Sequence, residues 1–320
     1  MSRKIITIDC NYIKPQYASS YLLIDDNDPS QAQAAFIDNN TTHCVPQLLQ
    51  TLKNQGLSPE QVRYVIVTHI HLDHAGGSSA LMKACPNATW VAHPRAAKHG
   101  IDPEKLISSA KQIYGEERFK QLYGEIEPIP SERIQIAQNN DYLSFGQGPS
   151  LQFIHTRGHA NHHMCIFEPE TCSIFTGDSF GVYYPELQDQ GLVILPSTSP
   201  TDFDYAEAIL SLERILSTGA KQAYPTHYGV MPLINEAAAQ LRIHLDSCQR
   251  VLEEARDSTL SGEELSQYCF KKNQAHYDAY FASQKIHFNP TQMSYLDLDF
   301  ELNAQGLAHA AEKLRQKGPH

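Results

Sequence analysis

The stretch Tyr64-Val65-Ile66-Val67-Thr68-His69-Ile70-His71-Leu72-Asp73-His74-Ala75-Gly76-Gly77 decides how this chain is read. Its first four residues are apolar and mostly β-branched, the pattern of a buried strand. They run straight into four candidate metal ligands within six residues. Side chains alternate along an extended segment, so His69 and His71 point to the same side and can grip one ion. Asp73 and His74 follow as the chain turns and can face a second ion nearby. The two glycines permit a tight turn and close backbone approach. Three histidines and an aspartate crowded together would be poorly hydrated and, if the imidazoles were charged, mutually repulsive. A metal resolves both problems, because it takes neutral imidazole and ionised carboxylate.

Two ions need more ligands than four, and three more stand at strand-to-loop junctions downstream. They are His159 in Thr156-Arg157-Gly158-His159-Ala160-Asn161-His162-His163, Asp178 after Phe175-Thr176-Gly177, and His227 after Tyr224-Pro225-Thr226. A rigid sheet can aim side chains at such positions. His162 reads as an exposed loop residue. His93, His99 and His155 read as surface or core residues.

The rest of the chain supplies the frame. Strands are expected at Lys4–Asn11, Ser20–Asp25, Ala34–Asn39, Arg63–His69 and Thr89–His93, and again at Leu151–Thr156, His163–Glu168, Cys172–Thr176 and Lys221–Thr226. Helical spacing appears at Cys44–Asn54, Ala75–Ala84, across 103–125 and at Asp204–Leu216. Ile234–Arg256 reads as one long helix, with shorter ones at 262–271 and 305–316. Two blocks of strands, each followed by helices, predict two packed sheets with helices outside and a helical addition in the last quarter. The expected domains are a catalytic domain over 1–230 and a helical extension over 231–320. That long helix could equally serve a homodimer interface.

Composition narrows the function. The 320 residues carry 25 Lys plus Arg against 36 Asp plus Glu, a net charge of −11, which disfavours nucleic acid as a partner. No apolar run approaches the ~18 residues a membrane span needs. Asp9 interrupts the N-terminal stretch too early for a signal-peptide core, so a cytoplasmic protein is expected. Seven cysteines without a CxxC pair argue against a disulfide framework or a cysteine-rich zinc module.

Taken in order, Phe36-Ile37-Asp38, the HxHxDH block, Gly158-His159, Gly177-Asp178 and Thr226-His227 resemble the metallo-β-lactamase superfamily over roughly residues 5–230. The resemblance implies an α+β fold, an αββα sandwich with the metals at one edge and, here, a C-terminal helical extension. It implies His69, His71 and His159 on a first metal, Asp73, His74 and His227 on a second, and Asp178 bridging both. Asp38 and His163 would orient the ligands. Two divalent ions are implied, with zinc the default and iron or manganese realistic. Such a centre lowers the pKa of bound water towards about 7 and polarises a carbonyl or phosphoryl oxygen. The expected reaction is attack of metal-bound hydroxide on an ester, thioester or lactone of a small-molecule substrate, with Asp73 able to accept the proton. A phosphodiesterase and a non-catalytic metal-binding module are the alternatives. Phe180, Tyr183 and Tyr184 are candidates for the pocket wall, and a hydroxyl such as that of Tyr184 could bond a carbonyl oxygen.

Departures from relatives matter. No glutathione-binding signature of glyoxalase II enzymes follows Asp178. Flavodiiron proteins carry Glu where this chain has His71, which disfavours an oxygen reductase. What remains resembles the broad group of single-chain hydrolases with a C-terminal helical cap.

Overall fold

The computed structural model describes residues 3–198 and 200–317. The chain is α+β, a sandwich of two mixed sheets flanked by helices, with a C-terminal helical extension. It divides into two compact units. The first comprises residues 1–155, 162–177 and 218–232; the second comprises 156–161, 178–217 and 233–320. Segments just after β8 (Leu151–His155) and β10 (Ser173–Gly177) thus group with the C-terminal helices.

In the first unit, β1 (Lys4–Asp9), β2 (Ser19–Asp25), β3 (Gln33–Ile37), β4 (Val62–Ile66), β5 (Thr89–Ala92) and β6 (Ile134–Ile136) form a six-stranded sheet in chain order. The β1–β2–β3 pairs are antiparallel and the rest parallel. The second sheet runs β11 (Gln222–Pro225), β10, β9 (Met164–Glu168), β8 and β7 (Tyr142–Leu143), with β10 and β11 parallel. Period-two alternation sorts the side chains. Tyr21, Leu23, Ala35, Ile37 and Ile66 meet Phe153, Met164, Ile166 and Phe175 of the second sheet. The alternate residues Leu22, Ile24, Phe36 and Val65 pack under α1 (Val45–Asn54), α3 (Ser78–Ala84) and α4 (Pro94–Ile101). Both faces of the first sheet are therefore core, as a largely parallel sheet requires. At the sandwich edge Ser19 N donates to Thr226 O at 2.8 Å, tying the start of β2 to the end of β11.

The second unit contains α7 (Tyr205–Ser217), α8 (Ile234–Asp257), α9 (Gly262–Ser283) and α10 (Pro290–Lys317) around Leu245, Cys248, Leu252, Leu265, Cys269 and Leu307. The last two helices are much longer than 262–271 and 305–316. Their inner faces carry buried polar residues, Asn273 in α9 and Asn303 in α10, which interrupt the apolar pattern. Asn303 is bonded: its Oδ1 accepts from Thr198 N at 2.6 Å and its Nδ2 donates to Pro196 O at 2.8 Å.

His244 of α8 is also fully buried, its Nδ1 2.9 Å from His276 Nε2 on α9, with the Tyr277 and Tyr280 rings beside it. Burial, helped by the His276 charge, lowers its pKa to about 3. The unfolded chain takes up that proton near pH 6.5. Stability is therefore lost as pH falls from about 6.5 towards 3, by up to about 1.4 kcal/mol per unit. Unfolding midpoints between pH 7 and 4.5 should fall less steeply in His244→Leu than in the parent. Parallel slopes would show that this histidine does not set the acid limit.

A candidate metal centre

β4 delivers the ligand loop. After Ile66, Val67 N still donates to Val91 O at 3.1 Å, and the chain then leaves the sheet through Thr68. His69 and His71 follow, the latter in extended geometry, and α2 (Leu72–Ala75), a single turn, carries Asp73 and His74. Gly76 and Gly77 have ordinary helical φ of −63° and −81°, so no turn demands them. Close approach does: a Cβ on Gly76 would lie 2.4 Å from Leu72 O, and one on Gly77 would lie 2.8 Å from Asn39 O. The partner segment is 38–40. Asn39 N donates to His74 O, Gly77 N to Asn40 O, and Asn40 Nδ2 to Asp73 O.

Asp38 organises this loop from beneath. It is fully buried and sits at φ 52°, in the left-handed region that an aspartate tolerates better than most residues. Its carboxylate accepts from Thr68 N at 2.8 Å, Thr68 Oγ1 at 2.9 Å, Thr226 Oγ1 at 2.7 Å and His74 Nδ1 at 2.8 Å. The imidazole is thereby held with its Nδ1 proton inward and Nε2 outward, which is how a neighbouring carboxylate fixes a ligating histidine. His227 obeys the same rule. Its Nδ1 lies 2.8 Å from Tyr17 O, an acceptor only, so Nδ1 is the donor and Nε2 faces Asp73 Oδ2 at 3.3 Å.

In the first unit, therefore, Asp73, His74 and His227 each present a donor atom within 4.8 Å of the others. This one-carboxylate, two-imidazole set suits a divalent zinc, iron or manganese ion. His69 stands beside them, its ring 4.0 Å from that of His74 and 4.4 Å from that of His71. His163 is fully buried with its ring 4.9 Å from that of His69. Gly177, at φ 48°, faces His163 and Thr68: a Cβ there would lie 2.5 Å from His163 Nε2 and 2.6 Å from Thr68 Oγ1. In the second unit His159 Nδ1 donates to Ser197 O at 3.1 Å, and its Nε2 lies 3.4 Å from Asp178 Oδ2.

Three features escaped the sequence reading. His162 is no exposed loop residue. Its ring stacks on that of His69 at 6.0 Å and 14°, and meets His71 edge-on at 5.5 Å. Adjacency to His163 was the available signal. Thr68 and Thr226 both anchor on Asp38, and each precedes a histidine in the sequence. Tyr17 acts through its carbonyl, which no side-chain pattern reveals. Phe180 and Tyr184 are fully buried, with the Tyr184 hydroxyl donating to Asp299 Oδ2 at 2.9 Å, while Tyr183 is half-buried. His93 caps α4 by accepting from Arg95 N, and His155 Nε2 donates to Ala137 O, which are structural duties.

A family model described as the metallo-beta-lactamase superfamily matches residues 29–227. The chain belongs to that superfamily. Metallo-beta-lactamase fold-containing protein ST1585 of Sulfurisphaera tokodaii is 28% identical over 183 residues, covering 55% of this chain and 65% of that one. The crystal structure of ST1585 superposes with a TM-score of 0.64 at 21% identity, covering 96% of this chain and 99% of that one. An atrochrysone carboxyl ACP thioesterase of Aspergillus fumigatus is 25% identical over 185 residues, 56% of this chain and 42% of that protein. An N-acyl homoserine lactonase of a Bacillus species is 27% identical over 120 residues, 38% of each. The matched segments span less than two thirds of each of these curated relatives. Superfamily membership together with the His/Asp clusters supports a metal-dependent hydrolase. Among the described residues, no helix is long and apolar enough to cross a membrane.

Proposed function

We propose that this chain is a dinuclear metal-dependent hydrolase of small-molecule esters, thioesters or lactones. In this reading His69, His71 and His159 hold one ion, Asp73, His74 and His227 the other, and Asp178 serves both. The observation that carries it is the Asp73–His74–His227 cluster, whose two imidazoles are already turned by Asp38 and the Tyr17 carbonyl to offer Nε2. A thioesterase and a lactonase among the relatives favour acyl chemistry at a carbonyl carbon. Zinc is the proposed ion.

When bound, the two ions would supply Lewis acidity and an activated water at neutral pH. The residues do the rest. Asp38 keeps His74 in the ligating tautomer and, through Thr68 and Thr226, fixes the loops that carry His69 and His227. His163 fills the space beneath His69, where Gly177 leaves it room. Asp73 is the carboxylate at hand to take up a proton as the water is consumed. Tyr184, committed to Asp299, is assigned no role in the reaction.

Metal content per chain, measured on protein purified without added metal and followed by a panel of chromogenic esters, thioesters, lactones and one phosphodiester, tests the proposal. Close to two equivalents and turnover of an acyl substrate, abolished in His71→Ala, is the expected result. Turnover of the phosphodiester alone would transfer the assignment to a phosphodiesterase. Metal without turnover above the His71→Ala control on any substrate would leave a binding module.

A further inference from the structure

The segment Thr156–Asn161, which carries His159, has no regular secondary structure, yet its backbone is tied down at almost every residue. Three successive carbonyls are each taken by a different part of the second unit. Thr156 O accepts from Ser179 Oγ at 2.9 Å, Arg157 O from Ser211 Oγ at 2.5 Å, and Gly158 O from Asp204 N at 2.9 Å. Asn161 N then donates to Asp202 Oδ2 at 3.1 Å. Across the loop, the Arg157 guanidinium donates to Asn161 Oδ1 through Nε at 3.1 Å and Nη2 at 2.8 Å, while Nη1 lies 3.2 Å from Glu207 Oε1. A surface loop ordinarily leaves such groups to water; here the protein takes them up itself.

Glu207, Ala208 and Ser211 share one face of α7, being three and four residues apart. That face lies on the loop. Gly158, at φ 121°, is pressed against it: a Cβ there would lie 2.4 Å from Ala208 N and 2.5 Å from Ala208 Cα. Those are backbone atoms that cannot swing aside, and the φ is one that side chains rarely allow. Ser211 is fully buried beside Leu212 and Ile215. A hydroxyl in that setting needs a partner, and Arg157 O is the one it has. His159 follows next but one, so the bond from its Nδ1 to Ser197 O aims the ring correctly only while the backbone beneath it stays in place.

We propose that α7 is the brace of the first ion: Ser211 and Arg157 are positioning residues that hold His159 at its ligating place, so the first ion's affinity is set separately from the second's. The proposal rests on the hydrolase reading above, which makes His159 a ligand of the first ion. No bond of the brace involves Asp73, His74 or His227. His74 and His227 take their orientation from Asp38 and the Tyr17 carbonyl instead. Deleting one bond of the brace should therefore weaken one ion and spare the other, whereas a generally loosened fold would weaken both.

The test uses the full chain, stripped of metal and then titrated with cobalt(II), followed by visible absorption, and with zinc in competition with a chelator. The parent should take up two equivalents. In Ser211→Ala one equivalent should bind as in the parent and the other about 10-fold more weakly, the lower end of the range for loss of a group behind a ligand. Ser211→Cys, which keeps a weak donor, should fall between the two. Arg157→Met, which keeps the stem without the fork, should act in the same direction as Ser211→Ala. Gly158→Ala should lose the weakened site outright; if that variant does not fold, the Ser211 variants decide. Parental affinity at both sites in Ser211→Ala, or equal weakening at both, would overturn the proposal. A second arm reads the imidazole itself in nitrogen–proton correlation spectra of the metal-free proteins. His159 should appear as the Nδ1–H tautomer, and Ser211→Ala should shift or split its signals while those of His74 and His227 stay in place. An unmoved His159 signal overturns the proposal. If the parent binds fewer than two ions, the dinuclear reading fails in the first arm, while the second still decides whether Ser211 positions His159.

Discussion

Asp38→Ala should unfold at markedly lower denaturant than the parent and bind metal 10- to 100-fold more weakly, the range seen when a residue behind a ligand is removed. The alanine leaves Thr68 N, Thr226 Oγ1 and His74 Nδ1 buried with their shared acceptor gone. Breaking a buried charged partner in this way costs about 3–5 kcal/mol. The φ of 52° adds strain that an alanine relieves less well than an aspartate. Asp38→Asn separates the two effects. It preserves the shape, so the fold should suffer less, but its amide turns donors toward donors and cannot hold His74 as the carboxylate does. Denaturant titrations and competition with a metal chelator measure both quantities. An alanine variant matching the parent in each would show that the hydrogen bonds around Asp38 are incidental.

Asp178→Ala is the second large effect. If Asp178 serves both ions, its loss should reduce bound metal from about two per chain to one or fewer and lower turnover by more than about 100-fold, above what loss of a residue behind a ligand costs. Folding should be affected far less, because Asp178 sits at the end of β10 and leaves the strand's own bonds to β9 and β11 in place. Metal analysis and kinetics on the same preparation are the measurements. A variant that keeps two equivalents and parental rates would remove Asp178 from the ligand set.

The sequence disclosed those parts of the site that are local along the chain. A buried-type strand running into HxHxDH places four donors through covalent geometry alone, and the structure keeps that order from β4 into α2. The sandwich was legible for a similar reason, since period-two alternation and buried runs mark β2 to β5 individually. What stayed hidden depends on long-range contact. Nothing in Phe119 or Tyr123 announces that α6 (Glu116–Tyr123), packed with α5 (Glu104–Tyr114), lies on Leu72. The glycines after His74 were read for a tight turn and for close backbone approach, and their φ values leave the close approach as the reason for them. The extents of α9 and α10 were lost because Asn273 and Asn303, buried in the structure, read as polar breaks in the sequence.

The tie between β2 and β11 also has a consequence in time. Ser19 N, from the first sheet, bonds Thr226 O, and Thr226 in turn reaches Asp38, so the short strand β11 joins elements made roughly 200 residues before it. His69, His71, Asp73 and His74 leave the ribosome early, whereas His227 arrives only after both sheets have otherwise been made. At about 5–20 residues per second, these candidate ligands wait about 8–30 seconds for it. During that interval the nascent chain exposes a partial chelate of three histidines and an aspartate. If these residues hold a metal, the choice of cation is open to competition from whatever ions surround the ribosome before His227 can impose a preference.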